Sequence, residues 1–237
     1  MIIGINGKIG SGKDSVGRII QYLTAEDSSL ECIKKIKEGL DIKGYHNSNW
    51  EIKKFATKVK EIATLLTGIP IEKFEDQEFK KTFLDAHWNK EIFENKTSLD
   101  KNNKAYNKSI VKPMTVREML QIIGTDALRN NLHPDTWVNA LMCYYIPYSV
   151  KGSDYEEYPN WIITDMRFPN EMQAVKANGG ITIRVVRPSD KKVSSDLHPS
   201  ETALDDAEFD YEIINDGTIE DLKEKVEGII LHINLNK

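Results

Sequence analysis

Glycines at positions 7, 10 and 12, followed at once by Lys13, Asp14 and Ser15, form the stretch of this 237-residue chain best suited to chemistry. Gly7, four residues, then Gly12 and Lys13 match the spacing of a loop that wraps phosphate groups. Glycines let the backbone curl so that successive N–H groups of Gly7, Lys8, Gly10, Ser11 and Gly12 point inward at anionic oxygens. A helix beginning near Lys13 adds its positive dipole end, and the Lys13 ammonium can reach the outer phosphates. Asp14 stands where a Ser or Thr usually ligates Mg²⁺, and Ser15 comes one residue later. A carboxylate facing phosphates is repelled unless a cation lies between them, so Asp14 is expected to hold Mg²⁺ directly or through water, with Ser15 beside it on a phosphate. The bland alternative is a glycine-rich turn with a capping Asp. An apolar run before it (Met1–Ile5) and helical spacing after it (Val16, Ile19, Ile20, Leu23) argue for the phosphate loop.

Other chemistry-bearing residues sit at the ends of apolar runs. Trp161-Ile-Ile-Thr-Asp165 reads as a buried strand ending in an acid that can orient Mg²⁺ or its water, and Arg167 follows near the same crevice. An Asp165–Arg167 pair, or a helix-capping Asp165, is the structural alternative. Ile181–Val186 delivers Arg187 to another strand end, and Tyr211–Asn215 leads through Asp-Gly-Thr218 into a capped terminal helix. Thr115 and Glu118 make a capping box, and Val116, Leu120 and Ile123 give that helix its buried stripe. Arg117 and Gln121 share another face, which continues towards Gly124, Thr125 and Arg129. That face could hold a nucleotide's phosphate and base, or be a solvated surface. Phe55, Lys58 and Lys60 open a helix patterned by Val59, Ile62, Ala63 and Leu66; Phe55 reads first as core.

The elements that must position these groups give an α/β reading: a three-layer fold with a central, mostly parallel sheet flanked by helices. One domain over 1–237 is expected, with a helical and loop insertion at about 70–148 and a short lid-like segment at about 188–203 that includes Lys191, Lys192, His198 and Glu201. A second helix is expected through Ile33, Ile36 and Leu40, and a long polar surface loop around Asn95–Lys108. A formal charge of -5 argues against nucleic acid as a partner. No stretch is long enough to span a bilayer. Cys32 and Cys143 lack metal-like spacing and fit a reducing cytoplasm. The start at Met1 leads directly into the glycines without a signal peptide. Tyr144, Tyr145 and Tyr148 suggest an apolar surface that could pair two subunits.

Gly7–Ser15, Lys54-Phe-Ala56, Arg117–Asp126, Asp135-Thr-Trp137, Thr164–Glu171, His198-Pro-Ser-Glu201 and Asn215–Thr218 together resemble the bacteriophage deoxynucleoside monophosphate kinases. The Gly-Lys-Asp form of the loop is typical of that family, and the resemblance covers nearly the whole chain apart from about Asn89–Lys112. It implies a P-loop kinase fold and transfer of the γ-phosphate of ATP to a dNMP in the host cytoplasm, with Mg²⁺. It implies that Gly7–Ser15 takes the ATP phosphates and that Arg187 and Asn215 lie by the adenine. Phe55, Arg117, Gln121, Arg129, Arg167 and Glu201 would take the acceptor. Lys13, Arg167 and Asp165 carry the catalytic expectation, and Asp14, Ser15 and Asp165 the metal. Two alternatives stay open on the residues alone: another small-molecule P-loop kinase, acting on dephospho-coenzyme A or phosphomevalonate, and a nucleotide-binding regulatory protein. The latter lacks a guanine-reading Asn-Lys-x-Asp motif here.

Overall fold

The computed structural model describes residues 1–25, 48–99, 105–150, 155–188 and 201–235. The expected helix through Ile33, Ile36 and Leu40, together with Cys32, Lys191, Lys192 and His198, lies outside the described residues. The chain divides into two compact units: Met1–Phe55 with Trp137–Lys237, and Ala56–Thr136.

In the first unit, short β-branched runs form a five-stranded sheet. Its strands are β1 (Ile2–Asn6), β2 (Trp50–Lys53), β7 (Asn160–Ile163), β8 (Ile181–Val186) and β9 (Tyr211–Ile214), in the order β2-β7-β1-β8-β9. All four neighbouring pairs are parallel. Parallel strands are buried on both faces and so are apolar almost throughout. Alternation sorts them: Ile3 and Ile5 of β1 join Ile162, Ile183, Val185 and Ile213 in one core layer. That layer is covered by α1 (Lys13–Leu23), through Val16, Ile19 and Ile20, and by the C-terminal helix Ile219–Leu235, through Leu222, Val226 and Ile230. Gly4 points the other way. A Cβ there would sit 2.9 Å from Met166 Sδ and 3.1 Å from Val175, so the helix Pro169–Ala177 packs directly on the β1 backbone. Helices therefore cover both faces, as the three-layer reading requires. A small antiparallel pair, β5 (Tyr148–Ser149) with β6 (Glu156–Glu157), completes this unit.

The second unit opens with α2 (Thr57–Thr67), which buries Val59, Lys60 and Ala63 and stops at Gly68 in the left-handed region. Leu66 is exposed. Three single-turn helices lead to α3 (Val116–Gln121) and a π-helical stretch, Ile122–Ala127. Thr115 Oγ1 accepts from Glu118 N at 3.1 Å, as the capping box predicts, but the buried stripe is Val116, Met119 and Ile123 rather than one through Leu120. The expected surface loop around Asn95–Lys108 is a correction. β3 (Lys90–Leu99) and β4 (Ala105–Lys112) pair as an antiparallel hairpin with Ile92 opposite Ile110. The recurring Asn and Lys disguise these strands, because such residues are uncommon in strands and common in turns.

Candidate active site

The loop between β1 and α1 has the backbone its glycines foretell. Gly10 and Gly12 hold φ values of 84° and 99°, a region that L side chains rarely adopt. Ser11 N donates to Lys8 O at 3.1 Å, and Val16 N donates to Gly12 O at 2.9 Å as the helix begins. Ser11 is wholly buried. Its carbonyl accepts from Asn215 Nδ2 at 2.8 Å, so the turn after β9 supports the loop. Asn6, just before the loop, donates through Nδ2 to Met166 O at 2.8 Å, tying it to the segment that follows β7.

The carboxyl ends of three parallel strands deliver charged groups to this place. After β7 come Thr164, Asp165 and Arg167; after β2 comes Lys54; the loop itself supplies Lys13 and Asp14. Asp14 Oδ1 accepts from Thr164 Oγ1 at 2.9 Å and lies 3.4 Å from the Lys54 ammonium. Partial burial would raise the Asp14 carboxyl, but the Lys54 and Lys13 charges, together with the hydrogen bonds from Thr164 and Lys54, hold the group below the usual carboxylate range. Burial pushes the Lys13 ammonium down. Asp14 opposes that, and the like charge of Arg167 adds to it, leaving Lys13 below the ordinary lysine range. Lys13 and Arg167, from different elements, thus share one electrostatic neighbourhood, which Asp165 and Glu201 also enter.

Local sequence explains how the acids and Arg167 are set. Asp165 Oδ1 accepts from Phe55 N at 2.9 Å, joining the ends of β7 and β2. Pro169 starts a helix whose third residue, Glu171, is buried and accepts through Oε2 from Arg167 N at 2.7 Å and from Phe168 N at 3.1 Å. The Arg167 guanidinium donates to Glu201 Oε1. Lys8 reaches Asp205 Oδ2 at 3.4 Å. Arg184 pins the carbonyls of Leu204 and Asp205.

The first unit therefore brings Gly7–Ser15, Asp165, Arg167, Glu201 and Asn215 into one connected set. Phe55 is 3 % exposed, a core side chain whose backbone serves Asp165. Arg187 is exposed at the end of β8. In the second unit, Arg117 Nη2 donates to Gln77 Oε1 at 3.1 Å. Arg129 is buried and donates to Pro134 O at 3.4 Å, and Gln121 closes α3. Lys58 and Lys60 pair with Glu61 and Glu75. Sequence reasoning assigned no role to Lys54, Thr164, Glu171 or Asp205. Only Glu171 had a readable signal, an acid at the third position of a Pro-started helix.

Among the described residues no group of three or more His, Cys, Asp and Glu gathers. An all-oxygen set of one or two carboxylates, Asp14 and Asp165, with the Ser15 hydroxyl, is nonetheless the kind that Mg²⁺ uses with nucleotide phosphates. No helix among the described residues is long and apolar enough to cross a membrane.

Comparison with known proteins agrees with this geometry. A family model described as deoxynucleotide monophosphate kinase matches residues 57–226. The chain is 32 % identical over 145 residues to the deoxynucleotide monophosphate kinase of Enterobacteria phage T4, covering 59 % of this chain and 57 % of that protein. It is 35 % identical over 116 residues to the protein of the same name from Escherichia phage RB69, covering 49 % and 45 %. It is 26 % identical to the deoxynucleoside-5'-monophosphate kinase of Escherichia phage T5, covering 91 % and 89 %. The matches thus span about half the length of the T4 and RB69 proteins.

Proposed function

Because the chain belongs to the deoxynucleotide monophosphate kinase family, we propose that it transfers the γ-phosphate of ATP to a deoxynucleoside monophosphate, giving ADP and a deoxynucleoside diphosphate. The observation that carries this reading is the meeting of Lys13 and Arg167 beside a glycine loop with two left-handed residues. Arg167 lies near enough for its charge to lower the affinity of Lys13 for its proton, and such a pair of cations favours an added anion. Phosphates are such anions.

The chemistry asks little covalent work of the protein. An acceptor phosphate oxygen is already anionic near neutral pH, so no strong base is required. The barrier lies in bringing two highly charged groups together in line. The loop amides and Lys13 bind and orient the donor phosphates. Arg167 offers a planar fork to the transferring or accepting phosphate. Its present partner, Glu201, holds that fork in place and is the group an incoming phosphate would compete with. Asp14, Ser15 and Asp165 would hold Mg²⁺, which when bound supplies further neutralisation of phosphate charge. Phe55, Arg117, Gln121 and Arg129 are assigned to the acceptor on the family resemblance and on the helical face that Arg117, Gln121 and Arg129 share, and Arg187 to the adenine on the resemblance and its place at a strand end.

The test is direct. Purified protein is incubated with ATP, Mg²⁺ and each of the four dNMPs or AMP, and products are separated by mass. ADP and a dNDP should appear together in equal amounts. ATP loss without any nucleoside diphosphate formed from the acceptor would overturn the reading.

A further inference from the structure

Among the described residues, both side-chain contacts of the Asp14 carboxylate fall on one oxygen. Thr164 Oγ1 donates to Oδ1 at 2.9 Å, and the Lys54 ammonium lies 3.4 Å from the same atom. These partners arrive from neighbouring parallel strands. β2 and β7 run in register from Trp50–Asn160 to Lys53–Ile163, and Thr164 N donates to Lys53 O at 3.4 Å, so Lys54 and Thr164 emerge side by side. The helix carrying Asp14 comes close enough to meet them because residue 17 is glycine. A Cβ there would sit 2.6 Å from Thr164 Cγ2. Thr164 is fully buried, so its hydroxyl has a fixed direction.

We propose that Lys54 and Thr164 are positioning residues that lock Asp14 through Oδ1 and so present Oδ2 to the cation that accompanies ATP. The inference rests on the kinase reading only for the identity of that cation. A carboxylate on a helix's first turn has several rotamers. Fixing it before the metal arrives removes an ordering cost from binding. Lys54 also screens Asp14 from the phosphates until a divalent ion takes that role. The locking function separates Lys54 from Lys13, whose ammonium is placed to act on phosphate itself.

The experiment measures binding rather than turnover. A non-hydrolysable ATP analogue is titrated calorimetrically into wild type, Lys54→Met, Lys54→Arg, Thr164→Val, Thr164→Ser, Asp14→Asn and the double variant Lys54→Met/Asp14→Asn, across a series of Mg²⁺ concentrations. Thermal melts confirm that each variant is folded. Lys54→Met and Thr164→Val should raise the Mg²⁺ concentration for half-maximal nucleotide binding by about tenfold, an ordinary coupling for groups in contact. Lys54→Arg and Thr164→Ser should recover most of it. In the Asp14→Asn background, Lys54→Met should have no further effect. Equal effects of Lys54→Met in both backgrounds would overturn the proposal, because Lys54 would then be acting on the nucleotide directly. A lowered Mg²⁺ requirement in Lys54→Met would overturn it too, by making Lys54 a competitor of the metal. A wild type that binds the analogue but phosphorylates no dNMP would sink the kinase reading and leave this one standing.

Discussion

The Asn215 side-chain amide donates to the Ser11 carbonyl at 2.8 Å, a buried bond between residues 204 positions apart. It makes the turn after β9 a prop for the phosphate loop. The prop is close: a Cβ on Gly12 would stand 2.4 Å from Asn215 Nδ2. Gly12 is therefore glycine twice over, for its φ of 99° and for the amide beneath it.

Removing the prop leaves a buried carbonyl without its donor, which costs about 1–3 kcal/mol. Asn215→Ala should lose stability of that order in urea denaturation. It should also weaken ATP binding more than it slows turnover, since the loop's amides lose their aim while Lys13 and Arg167 remain. A variant with wild-type KM for ATP and depressed kcat would instead give Asn215 a part in the chemical step.

Gly17 offers a second, sharper case. An exposed helical Gly→Ala change gains about 1 kcal/mol from propensity. Here the added methyl would meet Thr164 Cγ2 at 2.6 Å, so the helix must move away or Thr164 must turn. Gly17→Ala should lower the melting temperature despite the propensity gain. It should also raise the Mg²⁺ requirement for nucleotide binding, because the bond from Thr164 to Asp14 goes with it. Thermal melts and calorimetry on one preparation read both.

Much of this site is legible in the sequence, for a physical reason. Short, β-branched apolar runs such as Ile2–Ile5, Trp161–Ile163 and Ile181–Val186 read as buried strands, and the polar residues that end them fall at one edge of a parallel sheet. Gly7–Ser15 reads itself, since loop geometry and residue type are local. Lys54 and Thr164 do not. Their meaning depends on β2 lying beside β7 in a register that no local pattern encodes. Asp205 is hidden likewise, on a turn held by a distant Arg184. The β3–β4 hairpin escapes because Asn and Lys are uncommon in strands and common in turns, so their recurrence hides the pairing.

Lys13 and Arg167 carry the largest expected losses. A cationic group correctly placed on the transferring phosphoryl contributes about three powers of ten in rate. Lys13→Ala should lower kcat/KM by that order with the circular-dichroism spectrum unchanged. Arg167→Lys keeps the charge but loses the fork that meets Glu201, and should fall well below wild type while outperforming Arg167→Ala. Equality of Arg167→Lys with wild type would show that a point charge suffices there.

The start of the C-terminal helix makes a pH prediction with a fixed sign. Thr218 N donates to Asp221 Oδ2 at 2.7 Å and Thr218 Oγ1 donates to it at 2.9 Å, while Asp221 N donates back to Thr218 Oγ1 at 3.2 Å. The Thr218 backbone bond is the largest influence and the hydroxyl the next, and together they hold the Asp221 carboxyl below its ordinary range. A carboxyl depressed in the folded state stabilises the fold above its unfolded value of about 3.9. That contribution drains away as pH falls through the lower folded value. Asp221→Ala should therefore melt below wild type at pH 6, and the gap should narrow steadily under acid below about pH 4. Carbon-13 titration of the Asp221 carboxyl should show a midpoint below 3.9. A midpoint above that value, or a gap that widens in acid, would remove the cap from the account of how this helix begins.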